Sequence, residues 1–276
     1  MSRRLTTPIA RASLVATATL FLLAACGNGD DDTTPVPSLS DAFADSGLNA
    51  TTAGGNGATV SGRVVDAAGA PLANVPVSMC ATACWPTTTD RDGQFHFADL
   101  PVEPYAVDIR GDRLAGRLLL STIFPWEVVA GTQSLAAPVT LHEPLMPDGW
   151  DGRGPLRIAG LRLAPTEPMD VEELARLTGD ATIGGALIPP EDWPQYSLNR
   201  DGRRYEPLLM WALRPFGHVL GAPIEVGVEE ELLGRFGPDA TLFVVDVVTG
   251  HAMPAAASAT FDVVSWVILA SPARPL

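Results

Sequence analysis

Ser61-Gly62-Arg63-Val64-Val65-Asp66, Thr89-Asp90-Arg91-Asp92-Gly93-Gln94-Phe95-His96-Phe97 and Tyr105-Ala106-Val107-Asp108-Ile109-Arg110 decide the fold of this chain. Each segment alternates apolar and polar residues. Successive side chains of a β-strand point to opposite faces, so each segment offers one face to a core and one wetter face. Val60, Val64, Val75, Val77, Phe95, Phe97, Tyr105, Val107 and Ile109 are the expected core residues. Asp66-Ala67-Ala68-Gly69 and Asp90-Arg91-Asp92-Gly93 separate the strands with residues that favour turns. Short strands at this spacing predict an all-β sandwich.

Three groups of residues in this stretch resemble the carboxypeptidase regulatory-like domain. The first runs through Ser61-Gly62-Arg63-Val64-Val65-Asp66 to Gly69-Ala70-Pro71-Leu72-Ala73-Asn74-Val75-Pro76-Val77. The second is Thr89 to Phe97, and the third is Asp99-Leu100-Pro101 followed by Tyr105-Ala106-Val107. The resemblance covers residues 58–141 and implies a transthyretin-like β-sandwich, of the carbohydrate-binding-like fold. It departs from the family at Glu103-Pro104, where a glycine usually stands. The strands after Arg110 are less typical of the family.

Residues 142–276 are expected to form a second β-rich, sandwich-like domain of no recognised family. Leu156 and Ile158 share one parity, Leu161 and Leu163 the other, and the slip at Gly160 predicts a bulge. Leu208 to Leu213 and Leu242 to Val248 are continuous apolar runs, as in strands buried on both faces. Ile224, Val226 and Val228 alternate with polar residues or glycine. Val263 to Leu269 reads as a final strand. Val171 to Leu177, behind Asp170 as N-cap, predicts a short helix.

The N-terminus reads as an export signal. Arg3, Arg4 and Arg11 accompany an apolar run from Leu14 to Ala25. That run is shorter than the about 20 residues a membrane-spanning helix needs. Leu23-Ala24-Ala25-Cys26 resembles the lipobox of bacterial lipoproteins. The resemblance implies that residues 1–25 are removed and that Cys26 is lipidated, anchoring the chain in the cell envelope. Gly27, rather than aspartate, after the cysteine implies outer-membrane sorting. Residues 26–57 hold the lipidated cysteine and a polar tether rich in Gly, Asn, Asp, Thr and Ser, with a short helix over Leu39 to Phe43 as the alternative. A flexible tether of this length spans about 30 Å.

Charge narrows the partners. The formal net charge is −14, and the chain has no lysine. Residues 1–25 hold three arginines and no acid, so their removal takes the charge to −17. Nucleic-acid binding needs a basic face, and this balance argues against it. It equally disfavours electrostatic adhesion to anionic lipid. Neutral surfaces, cationic patches and divalent cations fit better.

Catalytic and metal motifs are sparse. Cys80 and Cys84 flank Ala81-Thr82-Ala83 where a strand should turn back, and a disulfide is the favoured reading in an exported chain. A metal pair or free thiols are the alternatives. Asp90-Arg91-Asp92-Gly93 fits a turn better than a calcium loop. His96, His142, His218 and His251 show no zinc-motif spacing, and Pro144 breaks any helix after His142-Glu143. No Gly-x-Ser-x-Gly elbow occurs. The resemblance implies the accessory module of metallocarboxypeptidases without the catalytic domain. Trp85, Trp193 and Tyr196 fall in loop-like contexts and are candidates for stacking on glycan, whereas Trp211 and Trp266 read as core.

The expected function is therefore a non-enzymatic envelope lipoprotein that binds or spaces and needs no cofactor or metal. Its partners would be the membrane, through the lipid, and a glycan or another envelope protein. A carbohydrate-binding module is the alternative, and a hydrolase with a site assembled from distant residues is the more remote one.

Overall fold

Alternation in the first half produces two sheets that share one core. The computed structural model describes residues 57–147, 150–178, 183–255 and 259–273. The leader, Cys26, the tether and the possible helix over Leu39 to Phe43 lie outside the described residues. The first sheet has the order β4(Gln94–Leu100), β1(Ala58–Asp66), β7(Thr132–Ser134), with β8(Val139–Leu141) also pairing β1. The second sheet has the order β3(Cys84–Thr88), β2(Pro76–Cys80), β5(Pro104–Ile109), β6(Thr122–Glu127). All nine core residues expected from parity are buried, and they pack into one cluster between these sheets.

The turns follow from their residues. Asp90 Oδ1 accepts the backbone N–H groups of Asp92 and Gln94, at 2.9 and 2.8 Å. That uses the carboxylate inside an Asx-type turn. Gly93 has φ +75°, and a Cβ there would stand 2.4 Å from the Val64 carbonyl oxygen, so only glycine fits. Cys80 and Cys84 sit opposite each other in the β2–β3 hairpin and form a disulfide, their Cα atoms 4.1 Å apart.

Residues 142–276 supply two more sheets. The third has the order β11(Gly184–Ile188), β13(Arg203–Arg214), β18(Val267–Pro272), β15(Thr241–Val245), β16(Ala252–Pro254), with β12(Leu198–Arg200) pairing β13. The fourth has the order β17(Ala259–Val263), β14(Val219–Val228), β10(Leu161–Pro165), β9(Leu156–Ile158). Trp211, Leu213, Val267 and Leu269 face the fourth sheet, while Met210, Ala212, Ile268 and Ala270 belong to a different cluster. The third sheet is thus buried on both faces, which is why Leu208 to Leu213 reads as a continuous apolar run.

That second cluster crosses to the first half of the chain. It contains Ala106, Leu120 and Ile123 together with Met210, Phe243 and Trp266. The β5–β6 side of the second sheet therefore packs on the third, and the four sheets stack with three cores between them. Trp266 Nε1 donates to the Ser121 carbonyl at 2.9 Å, and the Tyr196 hydroxyl donates to the Ile123 carbonyl at 2.6 Å, pinning this seam.

Three expectations are corrected. Ala159-Gly160 is a two-residue hairpin turn, with φ of 47° and 84°, and not a bulge. The hairpin pairs Leu161 with Ile158 and Leu163 with Leu156, so all four side chains enter one core. The apolar run from Leu242 ends as a strand at Val245, because Asp246 Oδ1 accepts the backbone N–H groups of Val248 and Thr249, at 3.0 and 2.7 Å. Val248 is accordingly exposed. The final apolar stretch divides into β17 and β18, with the strand break at Val264 to Trp266. The helix α1(Val171–Thr178) forms as expected, and Asp170 Oδ1 accepts the Glu172 N–H at 3.0 Å.

Candidate functional site

Two features lie where the first and second halves meet: a buried charged network and an open cleft. The network grows from β5. Its alternation puts Asp108 and Arg110 on the face away from the first core, toward the third sheet. A short 3-10 turn, Gly111–Arg113, then brings Asp112 beside Arg110. The Arg110 guanidinium donates to both Asp112 carboxylate oxygens, at 3.0 and 2.8 Å. It also donates to the Phe216 carbonyl at 3.4 Å and lies over the Phe216 ring, 5.6 Å from its centroid. Ser121 Oγ donates to Asp112 and accepts the Asp112 N–H.

Electrostatics separates the two aspartates. Burial would raise the Asp112 carboxyl, but Arg110 overrides it and holds the group below the usual carboxylate range. Asp108 is less well served. Its nearer oxygen is 3.8 Å from Arg110, and its Oδ1 has no hydrogen-bond partner among the described residues. Burial pushes its carboxyl up to about 6, Asp112 adds to that, and Arg110 opposes it. His218 is held below the usual imidazole range by burial and then by the positive charge of Arg110.

This network is a structural device. Ser121 is buried and already hydrogen-bonded to a carboxylate that belongs to Arg110. A catalytic serine needs access and a base that is free to take its proton. Among the described residues no cluster of three His, Cys, Asp or Glu side chains could hold a metal ion. None of the described helices is long and apolar enough to cross a membrane.

Asp108 makes stability depend on pH in a direction opposite to most carboxylates. Its folded pKa is raised, so folding takes up a proton; the benefit is full below the unfolded pKa near 4 and is lost as pH rises through about 6. Asp108→Asn removes the buried charge with little change of shape. Urea denaturation at pH 8 should find the variant more stable by about 3 kcal/mol, and the difference should shrink as pH falls and nearly vanish below the unfolded pKa, near pH 3.5. A variant less stable than wild type at pH 8 would mean that attraction to Arg110 outweighs burial.

The cleft has a volume of about 320 Å³. One wall is the edge strand β6, through Phe124, Pro125 and Trp126. Proline is tolerated on an edge strand because the strand's outer side has no ladder partner to lose. Another wall is the connection between β7 and β8, residues 134–139, and the third is the segment 191–195. Trp126 and Trp193 are each half buried, Trp126 against the first core and Trp193 against the seam core. Trp193 Nε1 donates to the Ile188 carbonyl at 2.7 Å, which fixes that ring in place. Asp192 is engaged inside the wall: Thr140 Oγ1 donates to it at 2.7 Å, and His142 Nε2 lies 3.1 Å from its other oxygen. Glu191 is exposed at the rim, and no basic side chain lines the cleft.

The three candidate stacking residues are not brought together. Trp193 lines the cleft. Trp85 lies on β3, the opposite edge strand of the second sheet, edge-on to Tyr105 with ring centroids 5.4 Å apart. Tyr196 spends its hydroxyl on Ile123 and tilts against Trp266 at 6.4 Å. Trp126, which the sequence reading passed over, takes their place. Its only sequence signal is Phe124-Pro125-Trp126, aromatics flanking a proline in a strand, which by itself does not distinguish a cleft from a core.

Residues 59–117 match the carboxypeptidase regulatory-like domain family. The matched region runs from β1 through β5 and the 3-10 turn, and stops before β6. It contributes strands to both sheets of the first sandwich, a module that is non-catalytic in general. No curated protein matches the chain.

Proposed function

We propose that this chain is a non-enzymatic lipoprotein of the cell envelope, a rigid binding body held from the membrane by Cys26 and a flexible tether. The observation that carries the reading is the seam. Side chains from both halves build the cleft, and a shared core fixes its walls, so the site is preformed and ordering costs on binding are small. The regulatory-like match at residues 59–117 supports a module that binds or spaces. Leu23-Ala24-Ala25-Cys26 and the polar stretch behind it support display from a membrane, and Gly27 supports the outer one. The acidic balance supports partners that are neutral or cationic.

Cell fractionation of Cys26→Ser tests the anchor. The wild-type protein should sediment with membranes and partition into detergent; the variant should be soluble and should migrate as an unprocessed chain. Identical fractionation of the two would overturn the anchored reading. Turnover of a peptide, ester or glycoside, lost on changing one His or carboxylate, would overturn the non-enzymatic one.

A further inference from the structure

We infer that the cleft between Trp126 and Trp193 is a binding site for a compact organic cation of the trimethylammonium type. The inference rests on the binding-body reading and adds to it the site and the ligand class. Four observations select the ligand. Trp126 and Trp193 both line the cleft, and an indole is the side chain that best attracts a cation, through the quadrupole of its ring face. Pro125, Pro194, Leu135 and Val139 make the rest of the lining largely apolar, which suits methyl groups around a charge better than a strongly hydrated ion. Asp192 accepts the Thr140 hydroxyl at 2.7 Å, whereas Glu191 is exposed at the rim, so Glu191 is the carboxylate freer to face a ligand. No arginine or histidine lines the cleft, so an anion would find no counter-charge.

The rest of the molecule reinforces this choice. A chain of formal net charge −14 raises the local concentration of cations and repels anions. A saccharide would also stack on indole, but its ring of hydroxyls needs several donors and acceptors around the site. Here the side chains offering them are Ser134, Glu191 and Gln195, with Asp192 already engaged. The fixed Trp193 ring means the aromatic wall exists before the ligand arrives.

Choline and its neutral carbon isostere, in which a tert-butyl group replaces the trimethylammonium, separate charge from shape. Both are titrated into the purified full-length mature protein, with the tryptophan indole N–H resonances followed by NMR. Choline should shift the Trp126 and Trp193 signals saturably, and the isostere should bind about tenfold more weakly. Glu191→Gln should weaken choline several-fold, Trp126→Ala should abolish its effect, and Trp85→Ala should leave it unchanged. Equal binding of choline and isostere would reduce the cleft to an apolar pocket and overturn the inference. So would cellobiose shifting the same signals where choline does not, or choline leaving both indoles unmoved. Because the wild-type resonances report directly, the test stands even if Trp126→Ala fails to fold. It is also independent of the anchor: loss of choline binding with Cys26-dependent membrane association intact would remove the ligand and keep the lipoprotein.

Discussion

Arg110→Ala should destabilise the protein by about 3–5 kcal/mol, the usual cost of removing one partner from a buried ion pair. The guanidinium holds Asp112 through two hydrogen bonds, faces Asp108 at 3.8 Å and caps the Phe216 carbonyl. Without it two carboxylates remain in a seam that is largely closed to water. They would then be protonated more readily, so the loss should shrink between pH 8 and pH 4. Urea denaturation at both pH values measures it. The double variant Arg110→Met with Asp112→Asn should recover much of the loss, since a neutral, well-filled seam needs no counter-charge. A loss below about 1 kcal/mol for Arg110→Ala would mean that solvent reaches the network and that the seam is looser than described.

Trp211→Ala should cost about 3–5 kcal/mol as well, by a different route. Trp211 is the largest fully buried side chain and sits on β13, which is paired on both sides. Its indole fills the space between the third and fourth sheets, and Nε1 donates to the Ala159 carbonyl at 3.1 Å, in the β9–β10 turn. Alanine leaves a cavity among rigid strands and an unsatisfied carbonyl in the turn. Trp211→Phe keeps most of the volume and should cost about 1–2 kcal/mol. Thermal or urea denaturation compares the two. If alanine cost no more than phenylalanine, packing between these sheets would not be what holds the second half together.

The first sandwich was legible because its strands are half-exposed. Val60, Val64, Val77, Phe95, Phe97, Tyr105, Val107 and Ile109 could be placed by parity alone, and each is buried. The same rule misleads on β5. Asp108 and Arg110 occupy the positions that parity marks as wet, yet the third sheet covers that face. Covering by a sheet about a hundred residues further along leaves no trace in the local pattern. The hairpin at Ala159-Gly160 was hidden for another reason. Ala159 takes a positive φ without the Asn or Asp that usually announces such a turn.

The cleft was half legible. Trp193 stands out as an aromatic in a proline-rich loop. Trp126 does not, because the cleft is assembled from an edge strand, a loop between two short strands and a 3-10 turn. Thr140 fixes Asp192 across some fifty residues of chain. Clefts built across a seam are visible only once the sheets are stacked.

Display from the envelope, as proposed, requires Cys26 to become the first residue of the mature chain and to carry the lipid. The mass of the N-terminal peptide of the protein purified from its own membranes tests this most directly. The peptide should begin at Cys26 and be heavier than its sequence by at least the mass of a diacylglyceryl group. An unmodified peptide spanning Leu23 to Asp30, or a mature chain that begins after Cys26, would contradict it.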